Sequence, residues 1–256
     1  MQPAIQLKQR LTDGQLTVGL LLTDDLRPNA VELARRGGLD YLIVDREHLQ
    51  HDPALAAQVC ASGRLLNFPV LVRIDAANFD AARIAMDLGP CGLVVPAVDR
   101  VEDLESVQQG VYLPPRGKRR PGGPSNAWVS TYSYDSFRQV VEDHVIVIPQ
   151  IETLEGLANV TGIAQHPLTT ALGVGPFDLS AQLGACWFGI DHPRMAEALT
   201  QIRRAAQEAG KATWMVGDGP LLVREQYRFI CFGEWNHFLV RSLRQATDGM
   251  RQESEG

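Results

Sequence analysis

Short apolar runs alternate with longer amphipathic stretches along most of the chain. Eight runs are rich in branched aliphatic residues and have the length of single strands: 17–22, 41–44, 70–73, 92–96, 145–151, 170–174, 212–216 and 229–232. Apolar residues recur at helical spacing near 28–37, 53–65, 78–88, 101–109, 134–143, 153–165, 192–209, 219–228 and 236–250. The pattern predicts a series of strand–helix units.

Two of the predicted helices begin with residues suited to a helix start. Asn78 precedes the apolar positions of its helix and has a side chain that can cap the first turn. Pro193 follows His192 and falls in the first turn, where proline is tolerated because its missing N–H has no helical partner.

Eight such units without a Ser- or Gly-rich linker favour one (β/α)8 TIM barrel that spans 1–256 as a single domain. The chain length of 256 residues fits, since barrels commonly run to about 250 residues. A doubly wound open sheet is the alternative. That fold usually carries a glycine-rich phosphate loop after its first strand, and no such loop follows 17–22.

One connection, 111–133, is longer than the others and rich in Pro and Gly. Long irregular loops within a domain are usually functional lids or disordered segments. The aromatic residues Trp128, Tyr132 and Tyr134 lie in this region or directly after it, and they predict an ordered segment that packs on the barrel.

Composition and charge narrow the classes of partner. Hydrophobic residues make up 45% of the chain, enough for a full core, and the net charge of −6 argues against a nucleic-acid partner. The basic cluster 116–120 is too short to change that expectation, although it can bind a small anion. No apolar run reaches the ~20 residues of a membrane span, so no membrane partner is expected. Small acidic metabolites remain as the expected class of binding partner.

The cysteines and the start of the chain predict a cytoplasmic protein. Four cysteines occur at 60, 91, 186 and 231, without the close spacing of a zinc site or a redox motif. The chain has no apolar N-terminal segment that follows a basic start, which is the pattern of a secretory signal. Both observations favour a reducing compartment.

Polar side chains follow four of the predicted strands. In a barrel, catalytic residues lie at the carboxyl ends of the strands and in the loops that follow. The segments at those places are Asp45-Arg46-Glu47-His48, Val72-Arg73, Gln150-Ile151-Glu152 and Gly175-Pro176-Phe177-Asp178. They predict carboxylates, an imidazole and a guanidinium on one rim.

Each of these residues taken alone has a structural explanation. Glu152 precedes a predicted helix and can serve as its N-cap, and Asp178 before Leu179-Ser180 also resembles an N-cap. His48 can be an ordinary loop histidine. Arg73 can be a surface charge, but after an apolar strand it needs an anionic partner. Their convergence on one rim favours a functional site.

The residue types predict metal-assisted chemistry on a 2-oxo acid. Two carboxylates without His or Cys ligands suit Mg²⁺ or Mn²⁺ rather than zinc. Arg73 can take a substrate carboxylate bidentately, and backbone amides around Gly175 can bind the same anion. Asp45 can hold the imidazole of His48 and leave its other nitrogen as a base. A cation beside a base favours enolate formation.

The same segments resemble the HpcH/HpaI family of class II, metal-dependent pyruvate aldolases, which belong to the phosphoenolpyruvate/pyruvate-binding barrel superfamily. The resemblance covers about 18–210 and continues more weakly to the end. The segments that carry it are DREH, VRI, YLPPRGKR, PQIETLEG and GVGPFDLS.

The resemblance implies roles for individual residues. It places the metal ligands on Glu152 and Asp178, the pyruvate-binding arginine on Arg73, and the Asp–His dyad on Asp45 and His48. It also implies substrate contacts near the metal, which fall on Gln150, Gly175, Pro176 and Phe177. A subunit-contact residue close to the active site falls on Asp87. Family members are commonly hexamers, trimers of dimers that exchange their last helix, so a homo-oligomer is implied.

This sequence departs from the family pattern at several positions. Arg46 stands where a small residue is common, and Phe177 stands where a smaller residue is frequent. Arg120 and Pro121 replace a glycine and an aliphatic residue, and Trp235 falls where relatives carry an aspartate. These departures bear on the acceptor aldehyde and on the C-terminal interface. None of them removes an implied catalytic group.

The resemblance thus implies reversible aldol cleavage of 4-hydroxy-2-oxo acids to pyruvate or hydroxypyruvate plus an aldehyde, with Mg²⁺, Mn²⁺ or Co²⁺. A Schiff-base mechanism is disfavoured, because the only lysines, Lys8, Lys118 and Lys211, lie away from the predicted rim. The alternatives are a lyase acting on a CoA thioester within the same superfamily and a non-catalytic metabolite-binding barrel.

Overall fold

The computed structural model describes residues 1–49, 52–186 and 189–255. Within these ranges eight strands close into one parallel barrel in chain order. The strands are β1 (Thr17–Leu22), β2 (Tyr41–Asp45), β3 (Val70–Arg73), β4 (Gly92–Val95), β5 (Ile146–Ile151), β6 (Ala171–Val174), β7 (Ala212–Val216) and β8 (Phe229–Glu234). The barrel prediction is confirmed, and the open sheet is excluded by the pairing of β1 with β8.

Helices surround the barrel. They are α1 (Gln2–Thr12), α2 (Ala30–Arg36), α3 (Pro53–Leu65), α4 (Phe79–Asp87), α5 (Val101–Val111), α6 (Tyr134–Phe137), α7 (Leu154–Ala158), α8 (Val160–Gln165), α9 (Pro176–Gln182), α10 (Pro193–Glu208), α11 (Gly219–Arg224) and α12 (Trp235–Glu255). A 3₁₀ helix covers Pro124–Trp128, and a π-helical turn covers Arg138–Glu142.

The predicted helix starts are observed, but two α-helices, α1 and α9, were not among the predicted helices. Asn78 Oδ1 accepts a hydrogen bond from the Ala81 amide at 3.0 Å, and Pro193 opens α10. α1 lies ahead of the first strand and buries Ala4 and Leu7. Because it precedes the first strand–helix unit, the repeating pattern gave no reason to expect it.

The strands are nearly continuous apolar runs because both of their faces are covered. Every residue of β2, β3, β4, β5 and β6 is buried, as expected for parallel strands between a barrel interior and a helical layer. Tyr41 packs so closely on Gly19 that a Cβ at position 19 would lie 2.6 Å from the ring. The Tyr41 hydroxyl accepts a hydrogen bond from Trp214 Nε1 at 2.8 Å.

The long segment 111–133 packs on the barrel, as its aromatic residues predict. Trp128 Nε1 donates to the carbonyl of Gly89 at 3.1 Å. Arg119 is fully buried, donates to Asp87 Oδ1 at 2.9 Å and lies 5.2 Å from the ring centroid of Phe137.

Two of the four cations in the basic cluster 116–120 are paired with carboxylates of the same chain. Arg116 lies 2.7 Å from Asp143 and stacks 4.2 Å from the ring centroid of Tyr112, and Arg119 is paired with Asp87. Two of its four cations are therefore not free for an external anion. Among the described residues, no helix combines the length and apolar character that crossing a bilayer requires.

Candidate active site

Four strands bring the candidate residues to the carboxyl-terminal rim of the barrel. Asp45 is the last residue of β2 and Arg73 the last of β3. Glu152 directly follows β5, and Asp178 lies in the first turn of α9 after β6. The rim is where barrels place their chemistry.

Asp45 and Arg73 form a buried, two-pronged ion pair. The two strand ends are register partners, so the side chains emerge beside each other. Arg73 Nε donates to Asp45 Oδ1 and Nη2 donates to Oδ2, both at 2.8 Å. Burial alone would raise the pKa of Asp45, but the hydrogen bonds and charge of Arg73 outweigh burial and hold that pKa below its usual range. Asp45 is ionised at neutral pH.

A second carboxylate completes the surroundings of Arg73. Arg73 Nη1 lies 3.1 Å from Glu47 Oε2, so the guanidinium faces two anions. Burial raises the pKa of Glu47, although the charges of Arg73 and His48 act in the opposite direction. Glu47 is therefore the group at Arg73 that an incoming substrate carboxylate can replace.

The expected contact between Asp45 and His48 is not present among the hydrogen bonds of the described residues. Both Asp45 oxygens are used by Arg73, and Thr23 Oγ1 and the Glu47 amide donate to them as well, at 3.0 and 3.1 Å. His48 is exposed three residues beyond the strand end, near the Glu47 carboxyl. In this structure Asp45 orients Arg73 rather than the imidazole, because adjacent strands place the guanidinium nearer than the following loop places His48.

Glu152 is a buried carboxyl held from several sides. Its Oε2 accepts the Ala97 amide at 2.9 Å, and its Oε1 accepts Gln150 Nε2 at 2.8 Å. The N-cap of α7 is Thr153, so Glu152 has no capping role. Burial raises the pKa of Glu152 to about 7, with further contributions from the charges of Glu47 and Asp178.

The β6–α9 turn presses against Glu152. A Cβ on Gly175 would lie 2.1 Å from Glu152 Oε1, so only glycine allows this approach. Gly175 is the N-cap of α9 and Pro176 occupies its first turn, which leaves Asp178 inside that turn rather than at the cap. Phe177 is 55% exposed at the rim.

The donor set fits a hard divalent cation. The charges of Glu47 and Asp178 raise the pKa of Glu152, and the charge of Asp178 also raises that of Glu47. A cation between these carboxylates removes the repulsion. Gln150 Oε1 is buried without a hydrogen-bond partner in the structure and can receive a donor from a bound molecule. No group of three or more His, Cys, Asp and Glu ligands is formed by the described residues, so water and substrate oxygens would complete the shell.

A model of the HpcH/HpaI aldolase/citrate lyase family matches residues 25–216, which include Asp45, Arg73, Glu152 and Asp178. The chain belongs to this family. A hydroxypyruvate/pyruvate aldolase of Pseudomonas aeruginosa is 31% identical over 253 residues, covering 95% of this chain and 91% of that protein. A 4-hydroxy-2-oxovalerate aldolase of Rhodococcus jostii (strain RHA1) is 28% identical, covering 82% and 80%.

A solved structure of an HpcH/HpaI family protein from Burkholderia cenocepacia J2315 superimposes with a TM-score of 0.85 at 28% identity, covering 96% of this chain and 99% of that one. The resemblance predicted from the rim segments is confirmed. As a member of a family of aldolases, with aldolases among its relatives, this chain is a carbon–carbon lyase.

The sequence pattern missed some residues of this HpcH/HpaI family site. Thr23 directly follows β1, so the rule that selects strand ends should have included it. Glu47 lies in a predicted rim segment, two residues after Asp45, but the contact of its carboxylate with Arg73 was not predicted. The Ala97 amide that holds Glu152 has no sequence signal, because any residue except proline supplies one.

Gly175→Ala is expected to impair the site without unfolding the barrel. The φ angle of −98° suits alanine, but the new methyl group would displace the Glu152 carboxylate. Misplacing a catalytic group by about 1 Å can cost about a hundredfold in rate, and we expect that loss in kcat/KM together with weaker metal binding. Gly122→Ala is the control, since nothing lies within 4 Å of its Cβ position. Unchanged metal affinity in Gly175→Ala would contradict the close packing.

Proposed function

We propose that this protein catalyses the reversible, metal-dependent aldol cleavage of 4-hydroxy-2-oxo acids to pyruvate or hydroxypyruvate and an aldehyde. The observation that carries the proposal is the arrangement of Arg73 beside a buried carboxylate cluster on one rim. The names of the relatives, which include both pyruvyl donors, support the donor class. The whole of 1–256 is proposed as one aldolase barrel.

Arg73 binds the carboxylate of the 2-oxo acid and Asp45 holds the guanidinium in place. The guanidinium's planar fork suits a carboxylate, and its bonds to Asp45 fix its orientation before substrate arrives. Glu47 occupies the remaining Nη1 position and leaves it when substrate binds. Gln150 and the turn formed by Gly175, Pro176 and Phe177 line the pyruvyl end.

Glu152 and Asp178 are the proposed ligands of a divalent cation, Mg²⁺, Mn²⁺ or Co²⁺. When bound, the cation supplies positive charge where negative charge develops on the keto oxygen. Gln150 Nε2 fixes one Glu152 oxygen and the Ala97 amide fixes the other, so the carboxylate is oriented in advance.

His48 is the proposed base. In the cleavage direction it accepts the proton of the C4 hydroxyl, the C3–C4 bond breaks, and the aldehyde departs. The electron pair of that bond passes to the 2-oxo acid as its enolate, which is then protonated at C3. The exposed position of His48 at the rim lets its imidazole reach a bound substrate.

The CoA-thioester lyase alternative is less well supported. In that alternative the basic segment 116–120 would meet the CoA phosphates. Arg116 and Arg119 of that segment are engaged with Asp143 and Asp87 instead. The non-catalytic alternative gives no function to the raised pKa of the Glu152 carboxyl or to the guanidinium of Arg73 that Asp45 orients.

An assay with and without metal tests the proposed function. Incubating the protein with pyruvate or hydroxypyruvate and a small aldehyde is expected to give aldol product with Mg²⁺, Mn²⁺ or Co²⁺ and none after metal removal. In D₂O, the methyl protons of pyruvate should exchange under the same conditions without any aldehyde, which separates enolate formation from aldehyde choice. Absence of both product and exchange would rule the aldolase out.

The C-terminal helix supports an oligomer. α12 is largely exposed, and its apolar side chains Phe238, Leu239, Val240, Leu243 and Met250 are 41% to 65% exposed. We propose that neighbouring subunits exchange this helix in a homo-hexamer, a trimer of dimers that brings Asp87 to a subunit contact near the active site.

The four cysteines are free thiols, which supports a cytoplasmic location.

Light scattering tests the assembly. The purified protein should have about six times the chain mass of 28.1 kDa. The double variant Leu239→Glu, Leu243→Glu should dissociate to smaller species, because charge would enter the buried interface. Leu65→Glu is the control, since Leu65 is an exposed leucine on α3, 80% exposed. A monomeric wild type would contradict the proposal.

A further inference from the structure

A cavity of about 330 Å³ opens on the face of the barrel opposite the active site. Its walls are the residues before β1, the starts of β7 and β8, and the end of α10. Parallel strands begin on this face and end at the catalytic rim, so the two sites lie at opposite ends of the barrel. The volume is within the range of small-molecule sites.

The charges in the wall have one sign. Arg203, Lys211 and Arg228 line the cavity, and none of its lining residues is acidic. These cations form no ion pair with a carboxylate among the described residues. In a chain of net charge −6, three unpaired cations around one cavity are a local excess that attracts anions.

Two further groups beside the cavity are buried and have no well-formed hydrogen bond among the described residues. They are the hydroxyl of Tyr227, which is 3% exposed, and the Nε of Arg203, and the two side chains lie against each other. Arg203 stacks 4.4 Å from the Tyr227 ring centroid and donates Nη1 to the Glu225 carbonyl at 3.0 Å, so its guanidinium is held at the wall. Burial, and secondarily the charge of Lys211, lowers the pKa of Lys8 to about 8. A fourth cation thus lies nearby.

We propose that this cavity is a binding site for a small oxyanion that carries at least two negative charges. Lys211 and Arg228 supply point charge, and Arg203 supplies a fixed guanidinium. Gln15 and Thr213 in the wall can donate to further oxygens. Phosphate and carboxylate groups share this chemistry, so a phosphate ester and a polycarboxylate are the two possible sources of the anion.

Calorimetry with two probes tests the site and distinguishes these sources. Metal-free protein is titrated with pyrophosphate and, separately, with propane-1,2,3-tricarboxylate, while sodium chloride keeps the ionic strength constant. At least one probe is expected to bind. The double variant Lys211→Gln, Arg228→Gln should weaken that binding about tenfold or more, which corresponds to the loss of two charged contacts.

Two variants separate this site from other cationic positions. Arg224→Gln removes an exposed cation of α11 outside the cavity and should bind the probes as wild type does. Arg73→Gln removes the cation of the catalytic rim and should also retain the binding. The proposal is overturned if neither probe binds, or if Arg73→Gln abolishes binding while the cavity double variant keeps it. Circular dichroism of each variant confirms that the barrel is intact.

Discussion

Glu152→Gln is expected to abolish metal binding and lower kcat/KM about a thousandfold or more, yet to stabilise the metal-free protein at pH 8. The substitution keeps the size of the side chain, and its carbonyl can accept from the Ala97 amide. Its new NH₂ group cannot accept from Gln150 Nε2, but it can donate to Gln150 Oε1 once that amide turns over, so the contact with Gln150 is kept with its direction reversed. What it removes is the negative charge.

The gain in stability follows from proton linkage. The pKa of Glu152 rises from 4.5 to about 7 on folding, so the folded chain binds this proton more tightly than the unfolded chain. That contribution to stability is fully present below about pH 4.5 and is lost as the pH rises through 7. At pH 8 the buried charge of the wild type costs about 3 kcal/mol relative to an acidic solution, and the glutamine variant avoids that cost.

Urea unfolding of the metal-free proteins at pH 5 and pH 8 measures this effect. The variant should exceed the wild type at pH 8 by about 1 to 3 kcal/mol, and the difference should shrink at pH 5. Glu102→Gln removes an exposed carboxylate from the first turn of α5 and should show neither effect. A Glu152→Gln protein that still binds Mn²⁺ with wild-type affinity would refute the proposed ligand.

The fold was readable from the sequence because one simple pattern repeats. Strands between covered faces need continuous apolar runs, so 41–44 predicted β2 (Tyr41–Asp45) to within one residue at its end. The prediction for β8 ended at 232, whereas the strand continues to Glu234, because Gly233 and Glu234 carry no apolar signal. α1 was not predicted because no strand precedes it.

The site was predicted as a set of positions but not as a set of contacts. The strand-end rule locates Asp45, Arg73 and Glu152 on one rim, whichever partners they take. The pairing of Asp45 with Arg73 depends on the register between β2 and β3, and a shift of one residue would point Arg73 elsewhere. Sequence spacing instead favoured His48, three residues from Asp45. The raised pKa of Glu152 depends on Glu47 and Asp178, which are distant in the chain.

Asp45→Asn is expected to raise the KM for the 2-oxo acid about ten- to a hundredfold and to change kcat much less. Asp45 is fully buried, and both its oxygens hold the guanidinium that is proposed to bind the substrate carboxylate. Asparagine replaces one of the two acceptor oxygens with an NH₂ donor that would face the guanidinium, so one hydrogen bond from Arg73 is lost. A hydrogen bond to a charged group contributes about 1.5 to 3 kcal/mol. Breaking the buried pair should also lower the free energy of unfolding by about 3 kcal/mol.

The steady-state parameters distinguish the two possible roles of Asp45. If Asp45 acts by orienting His48, kcat should fall, its pH profile should shift, and KM should stay near the wild-type value. If it orients Arg73, Arg73→Lys should reproduce the KM effect, and the double variant should be little worse than either single one, because both changes break the same contact. Additive effects in the double variant would show that Asp45 and Arg73 act independently. Asp25→Asn, which breaks the exposed pair with Arg27, is the control and should leave KM unchanged. Since Asp45 and Arg73 are register partners on adjacent strands, the structure favours the shared KM effect.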